Sequence, residues 1–321
     1  MGRLGAVAAG IALGLLAGMI GLLVTQPGPL ALPRSLAAVI TSPGLLENVV
    51  RLAAPIAVAG SGLALAYRAG FITIGSEGQM LLASLASLYV ISYLGVGGPG
   101  PLLAALSVGA LWGLIPGLLR AYAGVNEVLS SLMLNYIALS TVNYLVSTSL
   151  REGAFTQTRF IGEDKVLAAP LALGIAVLAA VGMESFLRYT MPGAAMQAYG
   201  TAPRMARTYL STDRRIILQA ALASGAASGL AGFLMLTGFQ RGFTAMSVTP
   251  GYGYMGVLAA WLGLKSPIGA LGAALLFSTL ATAGFLLQPQ GVPGSMALLV
   301  QALAVLGTVT LVSRGGRGWS S

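Results

Sequence analysis

Long apolar runs separated by short polar gaps are the main pattern of this sequence. A helix that crosses a membrane needs about 20 mainly apolar residues. Ten runs approach that length, at approximately 5–24, 46–67, 78–95, 101–119, 127–149, 166–187, 215–237, 251–264, 266–287 and 294–312. The pattern predicts an all-α integral membrane protein with about ten transmembrane helices. The eighth run, GYGYMGVLAAWLGL, is short and interrupted by glycine, so we expect it to be broken or to span only partly.

The gaps between the runs are short and rich in proline and glycine, as in GGPGP at 97–101 and QPQGVPG at 288–294. Such gaps are typical of turns. None has the character of a linker to a soluble domain. We therefore predict a single transmembrane domain over residues 1–321.

Composition supports this class and removes others. Hydrophobic residues make up 56% of the chain and charged residues 8%, whereas soluble domains carry about 25% charged residues. The net charge of +9 comes from bases spread over the predicted loops, which suits membrane lipids, so we expect no nucleic-acid partner. The chain has no Cys and no His, the usual ligands of transition metals. We predict no metal site and no cofactor.

The loop bases also predict an orientation. With the N-terminus inside, eleven of the 17 Lys and Arg residues fall on the inner side and six on the outer side. Bases are enriched in cytoplasmic loops. We therefore predict a multi-pass protein of the cytoplasmic (inner) membrane with both termini in the cytoplasm. The longest polar gap, 191–215, is then cytoplasmic.

Two stretches indicate a possible inverted repeat. SGLALAYRAGFITIGSEGQM at 61–80 and SGLAGFLMLTGFQRGFTAMSVTPGYGYM at 228–255 both start with Ser-Gly-Leu-Ala and end at a glycine-rich helix start. The ten-helix topology places them at opposite sides of the membrane. Halves of opposite topology are frequent in transporters.

The acidic residues give little support to an enzyme or an ion-coupled carrier. Glu184 and Arg188 lie four residues apart and are expected to pair on one helix. Glu77 and Glu127 lie near helix N-termini, where negative charge is favourable. Ion-coupled carriers normally keep ionisable residues in mid-membrane, and no such acid is evident. No catalytic residue is predicted.

The sequence contains no phosphate-binding loop. The nearest match, at 263–266, has Leu264 where that motif requires its second glycine. If ATP drives transport here, another subunit must bind it.

The fifth run, NEVLSSLMLNYIALSTVNYLVSTSL at 126–150, is the most polar. Tyr136, Ser140, Asn143 and Tyr144 fall on one helical face, and Asn135 flanks it. Amides and hydroxyls beside aromatic rings suit a translocation pathway for a polar, ring-bearing solute. The alternative is that these groups only bond to neighbouring helices.

Two polar segments are candidates for contact with partners. The outer loop 150–166 carries Arg151, Arg159 and Lys165, which suit docking of an extracytoplasmic solute-binding protein; a solvated loop is the alternative. The basic gap 191–215 suits a short helix that lies on lipid headgroups or inserts into a groove on a soluble protein.

Several motifs together resemble a known family. In order along the chain they are RAGFITIGSEGQM (68–80), GVNEVLSSLMLNYIA (124–138), QAYGTAPRMARTYL (197–210), SGLAGF (228–233) and GYGYMGVLAAWLGLKSPIGALGAALLF (251–277). Over about 45–310 the chain resembles the permease subunits of bacterial ABC importers for simple sugars and nucleosides, a group that includes ribose and branched-chain amino acid permeases. GVNEV…LMLNYIA is most similar to nucleoside permeases.

The resemblance implies the architecture of a type II importer. Such an importer combines two permease subunits, identical or different, with two cytoplasmic ATPase subunits and an extracytoplasmic solute-binding protein. The segment that matches 197–210 is the coupling helix of that family, which docks on the ATPase. Gly200, Pro203, Ala206 and Arg207 fit its pattern, and Arg204 lies in the same stretch. Tyr199, Ala202, Met205 and Thr208 depart from it, since the family has Val, Asn, Ala and Tyr there, and Leu210-Ser211 stands where the family has Gly-Ile.

We therefore predict a permease subunit of an ATP-driven importer, most consistent with nucleosides as solutes, that performs no covalent chemistry itself. The alternatives are a simple-sugar permease of the ribose type and an ion-coupled secondary transporter.

Overall fold

The computed structural model describes residues 3–23, 31–152, 156–202, 213–244, 251–292 and 295–315. These residues are almost entirely helical. The α-helices are α1 (Arg3–Leu23), α2 (Ala31–Thr41), α3 (Pro43–Arg68), α4 (Ser76–Ser92), α5 (Gly100–Ala123), α6 (Glu127–Ser147), α7 (Ala169–Tyr189), α8 (Met191–Thr201), α9 (Asp213–Met235), α10 (Tyr252–Leu262), α11 (Pro267–Leu287) and α12 (Ser295–Gly315). A π-helical turn, Leu236–Gln240, extends α9. Within the described ranges the only strand-like pairing is an isolated bridge between Gln157 and Thr244.

The all-helical prediction is confirmed, but the count of ten membrane-spanning helices is not. Six helical segments among the described residues are long and apolar enough to cross a membrane: Pro43–Arg68, Gly100–Ala123, Glu127–Ser147, Glu163–Tyr189, Asp213–Gln240 and Pro267–Gln290. Helix α4 has 17 residues and α10 has 11. Both are shorter than the ~20 residues that a full crossing requires.

Two helices fall in gaps between the predicted runs. Helix α2 contains Pro33 and Arg34, which break the apolar pattern, yet it buries Leu32, Ser35 and Val39 on one side. Helix α8 lies in the polar stretch 191–215, and the hydroxyl of Thr190 accepts from the backbone N–H of Gly193 at its start. Both are 11-residue helices, so a search for 20-residue apolar runs misses them.

The chain divides into two compact units, residues 1–50 with 275–321, and residues 51–274. In the first unit α1 packs against α12. Its core includes Val39, Val49 and Ala283, and the amide of Gln301 donates to the carbonyl oxygen of Phe277 at 3.1 Å. The single domain over 1–321 stays a prediction.

The second unit is built around the contact between α5 and α9. Gly225 and Gly229, four residues apart in GAASG, lie on the face of α9 that meets α5. A Cβ added to Gly225 would lie 2.5 Å from the carbonyl oxygen of Gly109. Small residues at this spacing allow helix backbones to approach closely. The helices can therefore pack backbone to backbone.

The helices of the second unit form a bundle with two ends. We call the end where α3 finishes the Arg68 end, and the end where α4 finishes the Tyr93 end. At the Arg68 end, Nε of Arg68 donates to the carbonyl oxygen of Lys265 at 2.7 Å. At the Tyr93 end, the hydroxyl of Tyr93 donates to the carbonyl oxygen of Leu150 at 2.7 Å. Helices α3, α5 and α7 end at the Arg68 end, where their last-turn residues Arg68, Arg120 and Arg188 lie.

Candidate functional site

A non-helical segment, residues 69–75, called the extended segment below although it turns at 69–70 and at 75, carries the chain from the Arg68 end into the interior. Side-chain oxygens of Glu127, Ser131 and Asn135 accept hydrogen bonds from backbone N–H groups at 72, 74 and 78, at 3.3, 3.1 and 2.9 Å. The three acceptors follow one another every four residues and share one face of α6. Eight helical residues rise ~12 Å. Helix α4 therefore begins about that far inside the bundle.

The N-termini of the short helices α4 and α10 meet at this depth. Glu77, in the first turn of α4, accepts from the backbone N–H of Gly251 (Oε1, 3.1 Å) and from that of Gly253 (Oε2, 2.7 Å). A Cβ on Gly253 would overlap the backbone of Glu77. Both carboxylate oxygens are thus bonded to the first turn of α10, where the helix dipole also favours negative charge.

This arrangement places an acid in the interior of the helical bundle, although the sequence showed no evident acid in the middle of a membrane helix. Glu77 was predicted only as a charge near a helix N-terminus, and it does occupy the first turn of α4. However, α4 starts inside the bundle, and Glu77 is only 3% exposed. The argument against an ion-coupled carrier from a missing acid therefore fails. A different observation argues against ion coupling: both carboxylate oxygens of Glu77 already accept hydrogen bonds from backbone N–H groups.

Asn135 connects three elements at the same depth. Its side-chain oxygen accepts from the N–H of Gly78, and its Nδ2 donates to the carbonyl oxygen of Ile74 at 2.9 Å. The same Nδ2 lies 3.4 Å from the hydroxyl of Tyr254 on α10. Asn135 is 3% exposed, whereas Tyr254 is 37% exposed. Asn135 therefore links helices within the protein, which is the alternative role stated above for the polar groups of this run. Its contact with a solute stays a prediction.

The other four residues of the predicted pathway form an open face on α6. Tyr136 and Tyr144 are 57% and 66% exposed, Ser140 is exposed and Asn143 is half-buried. The helical periodicity placed them on one side correctly, and that side is not covered by the described residues of this chain. Their contact with a solute stays a prediction.

A second buried acid organises the Arg68 end. Glu184, 3% exposed, pairs with Arg188 at 2.7 Å and with Arg68 at 3.5 Å. Its Oε2 also accepts from the hydroxyl of Ser266 at 2.9 Å. The pairing of Glu184 with Arg188 was predicted and is confirmed. Arg68 and Ser266 are distant in sequence, and no local pattern indicates them.

The entry of the extended segment is held by Arg120. Its guanidinium donates to the carbonyl oxygen of Gly70 at 2.9 Å, pairs with Glu127, and lies over the ring of Phe71. Glu127 in turn accepts from the segment itself. The charges at this end therefore fix the loop that leads to Glu77.

Of the five predicted coupling residues, only Gly200 lies within the part of the chain that the structure describes. Gly200 lies near the end of α8, so closely packed on the carbonyl group of Arg68 that a Cβ would overlap it. Gly200 is the second-last residue of α8. Pro203, Arg204, Ala206 and Arg207 lie outside the described residues.

The predicted docking residues occupy the Tyr93 end. Arg159 pairs with Glu152 at 3.0 Å, donates to the carbonyl oxygen of Ser92 at 3.3 Å, and lies over the ring of Tyr93. Arg151 and Lys165 are exposed. Arg159 is therefore engaged within the chain, and a docking role for the three residues stays a prediction. Among the described residues, no group of three or more acidic side chains is placed to hold a metal ion.

Comparison with known proteins identifies the family. The protein-family sequence model that is described as "Branched-chain amino acid transport system / permease component" matches residues 45–309. The chain belongs to this permease family, as the sequence motifs indicated. Together with the long apolar helices, this makes it a multi-pass membrane protein and a transport component.

Several individual relatives are similar over most of their length. The chain is 32% identical over 281 residues to the guanosine ABC transporter permease protein NupP of Bacillus subtilis (81% of this chain, 79% of that one). It is 32% identical over 291 residues to a glucose ABC transporter permease protein of Haloferax volcanii (83% and 76%). It is 29% identical over 275 residues to the nucleoside ABC transporter permease protein NupB of Lactococcus lactis (78% and 75%).

A solved structure has a similar fold. PsaBC from Streptococcus pneumoniae, in complex with Fab, matches with a TM-score of 0.50 at 10% identity, over 86% of this chain and 94% of that chain. At this identity the similarity concerns the fold alone.

Glu77 and Tyr254 are the residues of this site that sequence reasoning missed. A usable signal was present, because GSEGQM and GYGYM end the two stretches of the possible repeat. Short, glycine-interrupted apolar segments at corresponding positions of two halves point to the binding site in transporters.

Proposed function

We propose that this chain is the permease subunit of a type II ATP-binding-cassette importer that moves nucleosides across the cytoplasmic membrane. The observation that carries the proposal is the junction of α4 and α10. Two helices too short to span meet with their N-termini inside the bundle, at the depth of an open aromatic and amide face on α6. Transporter sites are typically formed by such discontinuous helices near the bilayer midplane.

The choice of nucleosides rests on two observations. Two of the three relatives described above carry nucleoside or guanosine in their names. In addition, Tyr136 and Tyr144 present exposed rings on the α6 face, and aromatic rings suit stacking on a planar base. The alternative is a simple sugar, since the glucose permease of Haloferax volcanii is equally identical.

An inverted repeat accounts for the junction. Helix α3 ends at the Arg68 end and the chain then turns back into the interior to start α4. Helix α9 ends at the Tyr93 end, and α10 likewise starts in the interior but runs toward the Arg68 end. The two pairs touch where the hydroxyls of Ser76 and Ser228 lie 2.9 Å apart. We propose that the two pairs are equivalent halves of one permease domain.

The energy for transport would come from separate ATPase subunits. The chain has no phosphate-binding loop, and the segment 197–210 matches the family's coupling helix. Gly200 packs on the Arg68 carbonyl. A displacement of the segment 197–210 by the ATPase would therefore be transmitted directly to the adjoining segment 69–75. The proposed complex also contains a second permease subunit, identical or different, and a solute-binding protein near Arg151, Arg159 and Lys165. In this arrangement both termini lie in the cytoplasm.

Uptake by the reconstituted complex tests the function. The permease, its ATPase and its binding protein would be placed in liposomes, and uptake of labelled guanosine measured with and without ATP, in competition with ribose and glucose. We expect ATP-dependent uptake that unlabelled nucleosides inhibit more strongly than sugars. Stronger inhibition by a sugar would favour the alternative solute. Uptake that persists without ATP and stops when the proton gradient is dissipated would contradict the ATP-driven mechanism.

A further inference from the structure

We propose that Glu77 is a positioning residue for solute passage: its carboxylate holds the start of α10 so that the ring of Tyr254 stands on the translocation pathway and contacts the solute. The proposal rests on the proposed function, because it assigns the pathway a further contact residue and the group that places it.

The first step is the attachment of α10. Helix α10 has 11 residues, ~16 Å of helix. At its far end, the turn after it is fixed where the Lys265 carbonyl accepts from Arg68. At its near end, Glu77 accepts from the N–H groups of Gly251 and Gly253. The carboxylate therefore sets how deep α10 starts in the bundle.

The second step is the position of Tyr254. This residue directly follows Gly253, so the bond to Glu77 fixes its backbone. Its hydroxyl lies 3.4 Å from Nδ2 of Asn135, and its side chain is partly open at 37% exposure. Asn135 precedes Tyr136, whose ring is exposed on the α6 face. Tyr254 therefore stands at the edge of that face, about 12 Å from the Arg68 end.

The third step is the chemistry offered there. Tyr254 and Tyr136 supply aromatic surface with a hydroxyl at the tip. Such side chains pair an apolar body with a polar end. Binding sites for small molecules are mainly apolar and aromatic, with a few fixed polar groups. A purine base with its exocyclic groups matches this combination better than a sugar without a base.

The carboxylate suits the positioning role better than an amide. A carboxylate offers two acceptor oxygens, and both are used here. The amide of Gln has one oxygen, and its NH₂ group would face an N–H donor. Glu77→Gln therefore loses one of the two bonds and removes the charge from the other, while keeping the size of the side chain. Glu77→Asp keeps the charge but shortens the reach by one methylene.

Thiol labelling tests the positioning independently of any solute. The chain contains no cysteine, so Tyr254→Cys introduces a unique thiol in the permease. Its rate of reaction with a membrane-impermeant maleimide would be measured in the reconstituted complex, with Glu77 intact, with Glu77→Gln and with Glu77→Asp. We expect Glu77→Gln to change the rate at least about tenfold, in line with the loss of one bond and of the charge on the other.

Ser140→Cys provides the matched control for labelling. Ser140 is exposed on the same α6 face, and its labelling should not respond to Glu77→Gln. A change at both positions would show general loosening of the bundle, and an unchanged rate at 254 would show that Glu77 does not position Tyr254. Either outcome overturns the proposal. Glu77→Asp gives the same comparison if Glu77→Gln does not fold.

A double-mutant cycle tests the contact with the solute. The ratio of guanosine to ribose uptake, normalised to permease in the membrane, would be measured for Glu77→Gln, Tyr254→Ala and the double variant. We expect each single change to lower the ratio about tenfold and the double variant to be no lower than Tyr254→Ala, because the two act through one contact. Additive effects, or equal losses for both solutes, would overturn the proposal. Absence of nucleoside uptake by the wild-type complex would instead refute the proposed solute, and labelling would then decide on Glu77.

Discussion

Glu184 accepts a hydrogen bond from the hydroxyl of Ser266 at 2.9 Å, although the two residues are 82 positions apart in the chain. The same carboxylate pairs with Arg188 and Arg68. It therefore joins the end of α7, the end of α3 and the turn that leads into α11. Helix α8, which carries Gly200, follows α7 directly, so the Arg68 end is tied together beside the proposed coupling segment.

Glu184→Gln should destabilise the Arg68 end. The amide keeps the volume but removes the charge that Arg68 and Arg188 share. Removing a partner of a buried polar group costs about 1–3 kcal/mol, and the exposure of Arg188 puts the expected value in the lower half of that range. Thermal unfolding in detergent measures the change.

Glu152→Gln is the matched control for Glu184→Gln. It breaks the ion pair with Arg159, in which both side chains are about half exposed. Exposed pairs contribute about 0–1 kcal/mol. Equal losses of stability in the two variants would contradict the buried role of Glu184.

Gly225→Leu should prevent α5 and α9 from packing. The added side chain would enter the backbone of Gly109, which has no flexible group to move aside. Overpacking costs about 1–3 kcal/mol where neighbours can adjust, and a backbone clash exceeds that range. We expect little folded protein by size-exclusion chromatography.

Gly174→Leu controls for the loss of glycine itself. Gly174 lies within α7 and has nothing within 4 Å of an added Cβ. Replacing glycine inside a helix gains about 0.5–1 kcal/mol of helix propensity, so this variant should fold normally. Normal folding of Gly225→Leu would show that the α5–α9 contact is looser than described.

Tyr136→Ala should lower nucleoside uptake more than sugar uptake. A lost aromatic stacking contact is worth about 0.5–1.5 kcal/mol, which corresponds to roughly two- to tenfold in uptake. Leu178→Ala on α7, at 74% exposure, removes a similarly exposed apolar side chain away from the α6 face and should change neither. Equal losses for both solutes in Tyr136→Ala would argue against recognition of a base at this face.

Arg207→Glu should separate ATP hydrolysis from transport. The proposed coupling helix would carry an acid where the family pattern has a base, so docking on the ATPase should weaken while insertion in the membrane is unaffected. Solute-stimulated ATPase activity and uptake would be measured together, with Arg207→Lys as the conservative control. Normal uptake by Arg207→Glu would place the coupling contact elsewhere.

The sequence predicted the membrane helices well where local pattern decides the structure. The polar face of α6 and the pairing of Glu184 with Arg188 follow from helical periodicity alone. These features need no knowledge of distant parts of the chain.

The candidate site was predicted less completely because long-range contacts define it. Glu77 looks like an ordinary helix-start acid until the 174-residue separation to Gly251 is bridged. Likewise, α4 has an apolar sequence that suggests a span, and only the segment 69–75 reveals that it starts inside, whereas the short, glycine-interrupted run of α10 was already expected to span only partly. Burial of a charge depends on where its helix begins, which periodicity does not report.

The extended segment 69–75 also sets a limit on chain length. Four residues of α6 rise ~6 Å, and two extended residues cover ~6.6 Å. The spacing of the donors at 72 and 74 therefore matches the spacing of their acceptors, Glu127 and Ser131. The two bonds of this match are donated by the backbone, while the buried side chains of Phe71 and Thr73 also hold the segment: Arg120 lies over the Phe71 ring, and Thr73 Oγ1 accepts from the N–H of Gly75 at 3.1 Å. Insertion or deletion of one residue would shift every donor out of register and move the start of α4. Natural variation here should therefore preserve the number of residues.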